Sequence, residues 1–199
     1  MKVTDIIFAL ICGKVVGFVL GDIIRELGIS ISIYYFLWLW VVLPVIALFC
    51  LWVASIIGRK LLFVYQGVKH LLVGAFATVV DLKLFELLLW ALSFFAIAIH
   101  PLLSKGASFL FSTGIKYWGN KYWAFGKHEN EDWHKELLQF FCITLVGLLI
   151  DVGAFYFLTN MVPATTFSPA LWTKLAVILA ALAAALWNFL GYKFIVFKK

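Results

Sequence analysis

The sequence GNKYWAF at residues 119–125 has a counterpart in GYKFIVF at residues 191–197. Both begin with glycine, carry lysine at the third position and end on phenylalanine, with aromatic side chains between. Each closes a stretch that opens with an apolar run ending in an acid, Asp81 in the first stretch and Asp151 in the second. The acids lie 70 residues apart and the lysines 72 residues apart. The second half of the chain therefore reads as a tandem repeat, and binding sites within membranes tend to lie at repeat interfaces.

The composition is that of an integral membrane protein. Hydrophobic residues make up 65% of the 199 residues, charged residues make up 13%, and the mean hydropathy is +1.05. Soluble domains are typically about 45–50% apolar and about 25% charged. A soluble chain with this composition would expose a large apolar surface to water, which is unfavourable. The chain is therefore expected to lie in lipid.

Six apolar segments are candidate membrane spans, since a helix needs about 20 apolar residues to cross a bilayer. They are residues 5–27, 29–57, 71–99, 106–122, 137–162 and 170–196. Lys14 and three glycines weaken the first segment, which is either a tilted span or a helix lying at the membrane interface. The fourth segment is short and carries Lys116.

These segments predict an all-α integral membrane protein. Its core is a four-helix bundle of two tandem parallel two-helix repeats, preceded by two extra N-terminal hydrophobic helices. The predicted domains are residues 1–65 for the N-terminal pair and residues 66–199 for the four-helix domain. The repeats cover about residues 66–127 and 136–199.

Basic residues orient the chain, because cytoplasmic loops carry an excess of Lys and Arg. If segments two to six all cross, one face holds Arg59, Lys60, Lys69, Lys121, Lys127, Lys135, Lys193, Lys198 and Lys199. The other face holds Arg25, Lys105 and Lys174. The richer face is expected to be cytoplasmic, which predicts a multi-pass protein of the cell (cytoplasmic) membrane.

Residues 66–199 resemble the GtrA-like family of small four-helix membrane proteins, whose spans close on patterns such as N-R-x-W-x-F. The run from Asn120 to Phe125 matches this pattern with lysine in place of arginine. The second copy fits a longer form, with Tyr192 where asparagine is usual. Lys116 lies opposite Asn188 in the repeat, where small or amide side chains are typical, and is a departure from the pattern.

The resemblance implies a flippase that moves a polyprenyl-phosphate-linked sugar from the cytoplasmic to the outer leaflet for cell-surface polysaccharide or glycan synthesis. It also implies a glycosyltransferase as a partner. The alternative is a non-transporting anchor or scaffold for a polyprenyl-phosphate glycosyltransferase.

Such a substrate needs cations for its phosphate, and its sugar ring can stack on aromatic faces. The predicted substrate-binding residues are Lys121, Lys193, Asn120, Trp123, Asn188, Tyr192, Lys105, Lys174, Lys116, Asp81 and Asp151. The alternative for the lysines at helix ends is an interfacial anchor whose ammonium snorkels to water.

Ionisable residues within spans are costly unless they are paired or hydrated. Lys83 and Glu86 lie three residues apart, which predicts an ion pair on one helix face. Asp81 faces another direction and is predicted to point toward Lys116 or Asp151. Both an internal ion pair and a hydrated headgroup cavity remain open as interpretations of Asp81.

Other function classes lack their motifs. The chain has no G-x-x-x-x-G-K-[ST] loop, no H-E-x-x-H and no nucleophile elbow, so an enzyme is not expected. The loop at residues 126–136 contains His128, Glu129, Asp132 and His134, whose spacing matches no strong metal motif, so neither a metal nor a cofactor is expected. Scattered basic residues suit membrane lipid headgroups rather than nucleic acid. Small residues in segments four and six favour close helix packing and a homo-oligomer.

Overall fold

The computed structural model describes residues 1–26, 32–94, 101–127, 132–162 and 169–198. Across these ranges the chain is all-α, as predicted. The helices are α1 (Val3–Glu26), α2 (Ile33–Ile57), α3 (Leu62–Phe94), α4 (Pro101–Trp118), α5 (Trp133–Asn160) and α6 (Pro169–Gly191). Helices α4 and α6 continue directly into π-helices, named here π1 (Gly119–Ala124) and π2 (Tyr192–Val196).

Four of the described helical stretches are long and apolar enough to cross a membrane. They are Val3–Gly21, Ile33–Ile57, Trp133–Asn160 and Ile178–Val196. The chain is therefore a multi-pass membrane protein, and α1 has the length and composition of a span. Helix α3 is more polar because it carries Asp81, Lys83 and Glu86, so its crossing and that of α4 stay predictions.

The chain divides into two compact units, residues 1–126 and residues 127–199. The first unit contains α1 to α4 with π1, and the second contains α5 and α6 with π2. Each unit thus holds one helix pair that ends in a π-helix. The parallel tandem relation between the two pairs remains a prediction.

Helix α1 packs against α2 through three glycines spaced four residues apart. A Cβ added at Gly13 would lie 2.4 Å from the Cα of Pro44, and one added at Gly17 would lie 2.9 Å from the carbonyl oxygen of Leu39. At Gly21 it would lie 2.5 Å from the Phe36 ring. Small residues at this spacing let helix backbones approach closely in membranes. The three glycines that weaken the prediction of a span for the first segment therefore form the face of α1 that packs against α2.

We expect Gly13→Ala to destabilise the first unit by about 1–3 kcal/mol, because the added methyl group meets the backbone of α2. Gly74→Ala on α3 is the matched control, because nothing lies within 4 Å of its Cβ position. That control is expected to be neutral or to stabilise by up to about 1 kcal/mol through helix propensity. Thermal unfolding of the purified variants measures both effects, and equal melting temperatures would contradict the close packing.

A buried carboxylate attaches the start of α1 to the rest of the first unit. Asp5 is 2% exposed and lies 2.6 Å from the ammonium of Lys69 on α3. It also accepts hydrogen bonds from the Tyr65 hydroxyl at 2.6 Å and from the Trp123 indole at 2.8 Å. The backbone N–H of Lys2 supplies a fourth donor at 2.7 Å. Both carboxylate oxygens are thus paired, which is the condition under which a charge is tolerated in a protein interior.

Candidate functional site

Both aromatic-basic motifs form π-helices, which occur frequently at functional sites. The N–H of Phe125 donates to the carbonyl oxygen of Asn120 at 2.9 Å, and the N–H of Phe197 donates to that of Tyr192 at 2.7 Å. Both bonds reach back five residues instead of four. The wider turn rotates the following side chains away from the positions that an α-helix would give them.

A glycine lies where each closing helix passes into its π-helix, Gly119 as the first residue of π1 and Gly191 as the last residue of α6, and each contacts the preceding helix of its own unit. A Cβ at Gly119 would lie 2.8 Å from Val73, and a Cβ at Gly191 would lie 2.6 Å from Ile143. Val73 and Ile143 are 70 residues apart, the same offset that separates Asp81 from Asp151. The closing helix of each pair therefore meets its neighbour at a corresponding position.

The first unit places a polar pair at this junction. His70 Nδ1 lies 2.8 Å from Asn120 Oδ1, and both side chains are buried. A carbonyl oxygen only accepts, so His70 is the donor. The Asn120 amide donates in turn to the carbonyl oxygen of Lys116 at 2.7 Å. His70 was not among the residues predicted from the sequence, where it is a lone histidine ahead of an apolar run.

The second unit places an aromatic pair at the corresponding positions. Phe140 stacks on Tyr192 with ring centroids 4.2 Å apart, and the Tyr192 hydroxyl lies 2.6 Å from that of Thr144. The Asn188 amide packs against Gly147, and its buried Oδ1 has no hydrogen-bond partner among the described residues. Tyr192 and Asn188 thus lie within the packing of α5 against α6.

Lys121 is a buried cation. Its side chain is 1% exposed, its ammonium donates to the Tyr117 hydroxyl at 3.2 Å, and the Tyr117 and Tyr122 ring centroids lie 5.5 and 5.8 Å away. A snorkelling anchor places its ammonium in water, so this burial disfavours the anchor interpretation for Lys121. Lys193 is half-buried, and its ammonium lies over the rings of Phe189 and Phe194.

Trp123 belongs to the Asp5 network. Its indole N–H donates to Asp5, and its ring lies 5.1 Å from that of Phe8 and 5.3 Å from the Lys69 ammonium. These contacts account for Trp123 as a link between π1 and α1. The network itself was not predicted, because its partners are up to 118 residues apart in sequence.

A polar stripe runs along α4 and into π1. Its members recur every fourth residue and, except for the half-buried Lys116, are buried: Ser104, Ser108, Ser112, Lys116 and Asn120. At about 1.5 Å per residue these sixteen steps cover about 24 Å. The corresponding positions on α6 carry buried alanines where α4 has serines, Ala176, Ala180 and Ala184, and Asn188 and Tyr192 follow where the first unit has Lys116 and Asn120. At the three serine positions, the same helix face is thus hydroxyl-lined in the first unit and apolar in the second.

Asp81 meets this stripe at its far end from π1. It accepts a hydrogen bond from the Ser108 hydroxyl at 2.7 Å and forms an ion pair with Lys105. The predicted orientation toward Lys116 was therefore wrong, because Lys105 on α4 is the cation that pairs with Asp81; the alternative partner, Asp151, belongs to the second unit, and that part of the prediction stays untested. The buried Ser104 hydroxyl has no hydrogen-bond partner among the described residues.

The remaining predicted residues are placed as follows. The ion pair of Lys83 with Glu86 is confirmed at 2.8 Å. Asp151 is half-buried on α5. Lys174 lies on α6, but its side chain is outside the described part of the structure. Within the described ranges, which exclude His128 and Glu129, no group of three or more His, Cys, Asp or Glu side chains is arranged to hold a metal ion.

Comparison with known proteins identifies one matching family. The family model described as GtrA/DPMS, transmembrane domain, matches residues 69–197. Neither a curated protein nor a solved structure matches the chain. The matched range covers more than half of the chain, includes both π-helices and begins after α1 and α2.

Proposed function

The chain belongs to the GtrA/DPMS transmembrane-domain family, and we propose that it is a flippase for a polyprenyl-phosphate-linked sugar. Membership in this family suggests that the chain is involved in the handling of polyprenyl-phosphate sugars. In the proposed reaction the sugar phosphate passes from the cytoplasmic to the outer leaflet, while the polyprenyl tail stays in the bilayer. No covalent bond is made or broken.

The observation that carries the proposal is the polar stripe on α4. A sugar headgroup cannot enter hydrocarbon without replacing its hydrogen bonds to water. Serine hydroxyls both donate and accept, so they suit a ligand made of hydroxyl groups. The buried stripe extends about 24 Å at the helical rise per residue, which is most of the hydrocarbon thickness of a bilayer.

Cations lie near both ends of the stripe and suit the phosphate. Lys121 lies in π1 among tyrosine rings, and Lys105 lies near the start of α4 with Asp81. The ends are about 24 Å apart at the helical rise per residue. By the predicted topology, Lys121 receives the phosphate at the cytoplasmic leaflet and Lys105 meets it at the outer leaflet. Ammonium groups bind phosphate as point charges.

Reconstitution tests this proposal directly. The purified chain is placed in liposomes containing a fluorescent polyprenyl-phosphate-linked sugar, and dithionite then quenches the label in the accessible leaflet. The chain is expected to raise the quenched fraction from about half toward completion, and protein-free liposomes are the control. A quenched fraction that stays near half, together with co-purification of a glycosyltransferase, would overturn the flippase in favour of the scaffold.

A further inference from the structure

The first unit contains a cavity of about 570 Å³, widely open to the surroundings, that is lined by other residues than the polar stripe. It lies between α1, α2, α3 and α4, and its walls include Val15, Phe18, Trp40, Val80, Leu84 and Phe111. Ligand sites in proteins typically enclose about 300–1,000 Å³. The walls that α1 and α2 provide lie outside the range that the family model matches.

Among the described residues that line the cavity, Lys14 and Lys83 are the charged ones, and only Lys83 has an ion pair in the described part of the chain. Lys83 forms its ion pair with Glu86 at 2.8 Å. Lys14 is exposed to the cavity, and its ammonium lies 4.8 Å from the ring centroid of Trp40. Among the carboxylates that the structure describes, none pairs with Lys14. Within the described ranges, Lys14 therefore brings a positive charge to the cavity with no carboxylate paired to it.

The position of Lys14 along α1 indicates that its charge has a functional role. Lys14 lies 11 residues beyond Val3, where α1 begins, which is about 16 Å along the helix. With α1 crossing the bilayer from Val3, that distance corresponds to the middle of a hydrocarbon core about 30 Å thick. Ionisable groups at such depth are costly and mark functional sites with a specific partner.

We propose that this cavity binds the single chain of a polyprenyl phosphate, with the phosphate held by Lys14 and the tail lying along α3. The inference rests on the proposed function and adds a carrier site built with the N-terminal helix pair. The α3 wall is apolar apart from Lys83, since Val79, Val80, Leu84 and Leu87 also line it, and it suits a hydrocarbon tail. The polyprenyl phosphate is the lipid of the proposed reaction, and phosphatidylglycerol, an anionic lipid with two chains, is the alternative occupant that the experiment below tests.

The cavity also lies next to the polar stripe. Phe111 lines the cavity, and the following residue of α4, Ser112, belongs to the stripe. A carrier held by its tail and phosphate in the cavity keeps its sugar beside those hydroxyls. The site therefore retains the carrier in the protein while the headgroup is between leaflets.

Native mass spectrometry of the full chain in detergent tests the carrier site. The probes are a polyprenyl phosphate, the matching polyprenol, which lacks phosphate, and a phosphatidylglycerol. Lys14→Gln is expected to weaken polyprenyl phosphate binding by about tenfold, as the loss of a charge-assisted contact predicts, and to leave polyprenol binding unchanged. Lys60→Gln, in the exposed turn after α2, is the matched control and is expected to bind as the wild type does.

A second variant tests the tail. Leu84→Trp places a larger side chain in the cavity and narrows it. This variant is expected to weaken binding of both polyprenyl compounds while its thermal unfolding matches that of the wild type. If Leu84→Trp unfolds, the result for Lys14→Gln still decides, because Lys14 is exposed and its change is small. Wild-type affinity of Lys14→Gln, or equal competition by phosphatidylglycerol, overturns the proposal. Because binding needs no second leaflet, a chain that binds the carrier but does not flip it contradicts only the proposed function.

Discussion

Replacing Lys121 with methionine is expected to slow translocation of a polyprenyl-phosphate-linked sugar by about 10- to 100-fold. A hydrogen bond to a charged group is worth about 1.5–3 kcal/mol, and about 1.4 kcal/mol corresponds to a factor of ten in rate. Lys121 is buried beside Tyr117 and Tyr122, so no water replaces its ammonium when it is removed. The rate of dithionite quenching in liposomes, at equal protein content, measures the loss.

Stability separates a loss of binding from a loss of fold. Methionine keeps the approximate length of the lysine side chain, so thermal unfolding of Lys121→Met shows whether the fold survives the change. Lys121→Arg keeps the charge and introduces the arginine that is usual in the N-R-x-W-x-F pattern of the family. This variant is expected to retain translocation. A slow Lys121→Met variant with a lowered melting temperature would point to structure rather than to phosphate.

Lys193 is the control for position in the repeat. It occupies the corresponding place in π2 but is half-buried, with its ammonium over Phe189 and Phe194. Water can take the place of its ammonium, so Lys193→Met is expected to change the rate by less than about tenfold. Equal losses at Lys121 and Lys193 would contradict the assignment of the phosphate contact to the buried Lys121 and not to its counterpart in π2.

The helical class and the six hydrophobic helices could be predicted from the sequence, because composition and run length are local signals. Helix ends were less predictable. Helix α4 begins at Pro101 instead of residue 106, since proline suits the first turn of a helix. The π-helices were not predicted, because one extra residue in a turn changes the hydrogen-bond register without changing the apolar pattern.

The contacts between distant segments were not predictable for a different reason. Asp5 meets Tyr65 and Trp123 across 60 and 118 residues, and His70 meets Asn120 across 50. A single sequence gives no signal for a pairing at that separation. The glycines of α1 were read as helix-weakening because propensity is local, whereas their role depends on the surface of α2 that packs against them.

Replacing Ser108 and Ser112 together with alanine is expected to slow translocation by about tenfold or more. The two hydroxyls contribute about 0.5–1.5 kcal/mol each where they bond a passing headgroup. The change also removes the 2.7 Å hydrogen bond from Ser108 to Asp81, which leaves that carboxylate with Lys105. The liposome assay measures the rate, and Ser112→Thr, which keeps a hydroxyl, is expected to retain it.

The protein supplies its own control for this change, because α6 already carries alanines on the corresponding face. Ala180 and Ala184 are buried in that helix, so alanine at the matching positions of α4 is compatible with a packed helix face. The reverse pair, Ala180→Ser with Ala184→Ser, adds hydroxyls that can bond to backbone carbonyls of the preceding turn, and is expected to leave the rate within about twofold. If the variant with Ser108→Ala and Ser112→Ala flips lipid at the wild-type rate, the two serines serve only to pack the helix. If both pairs slow the rate equally, the effect follows from packing in either unit and not from a polar route along α4.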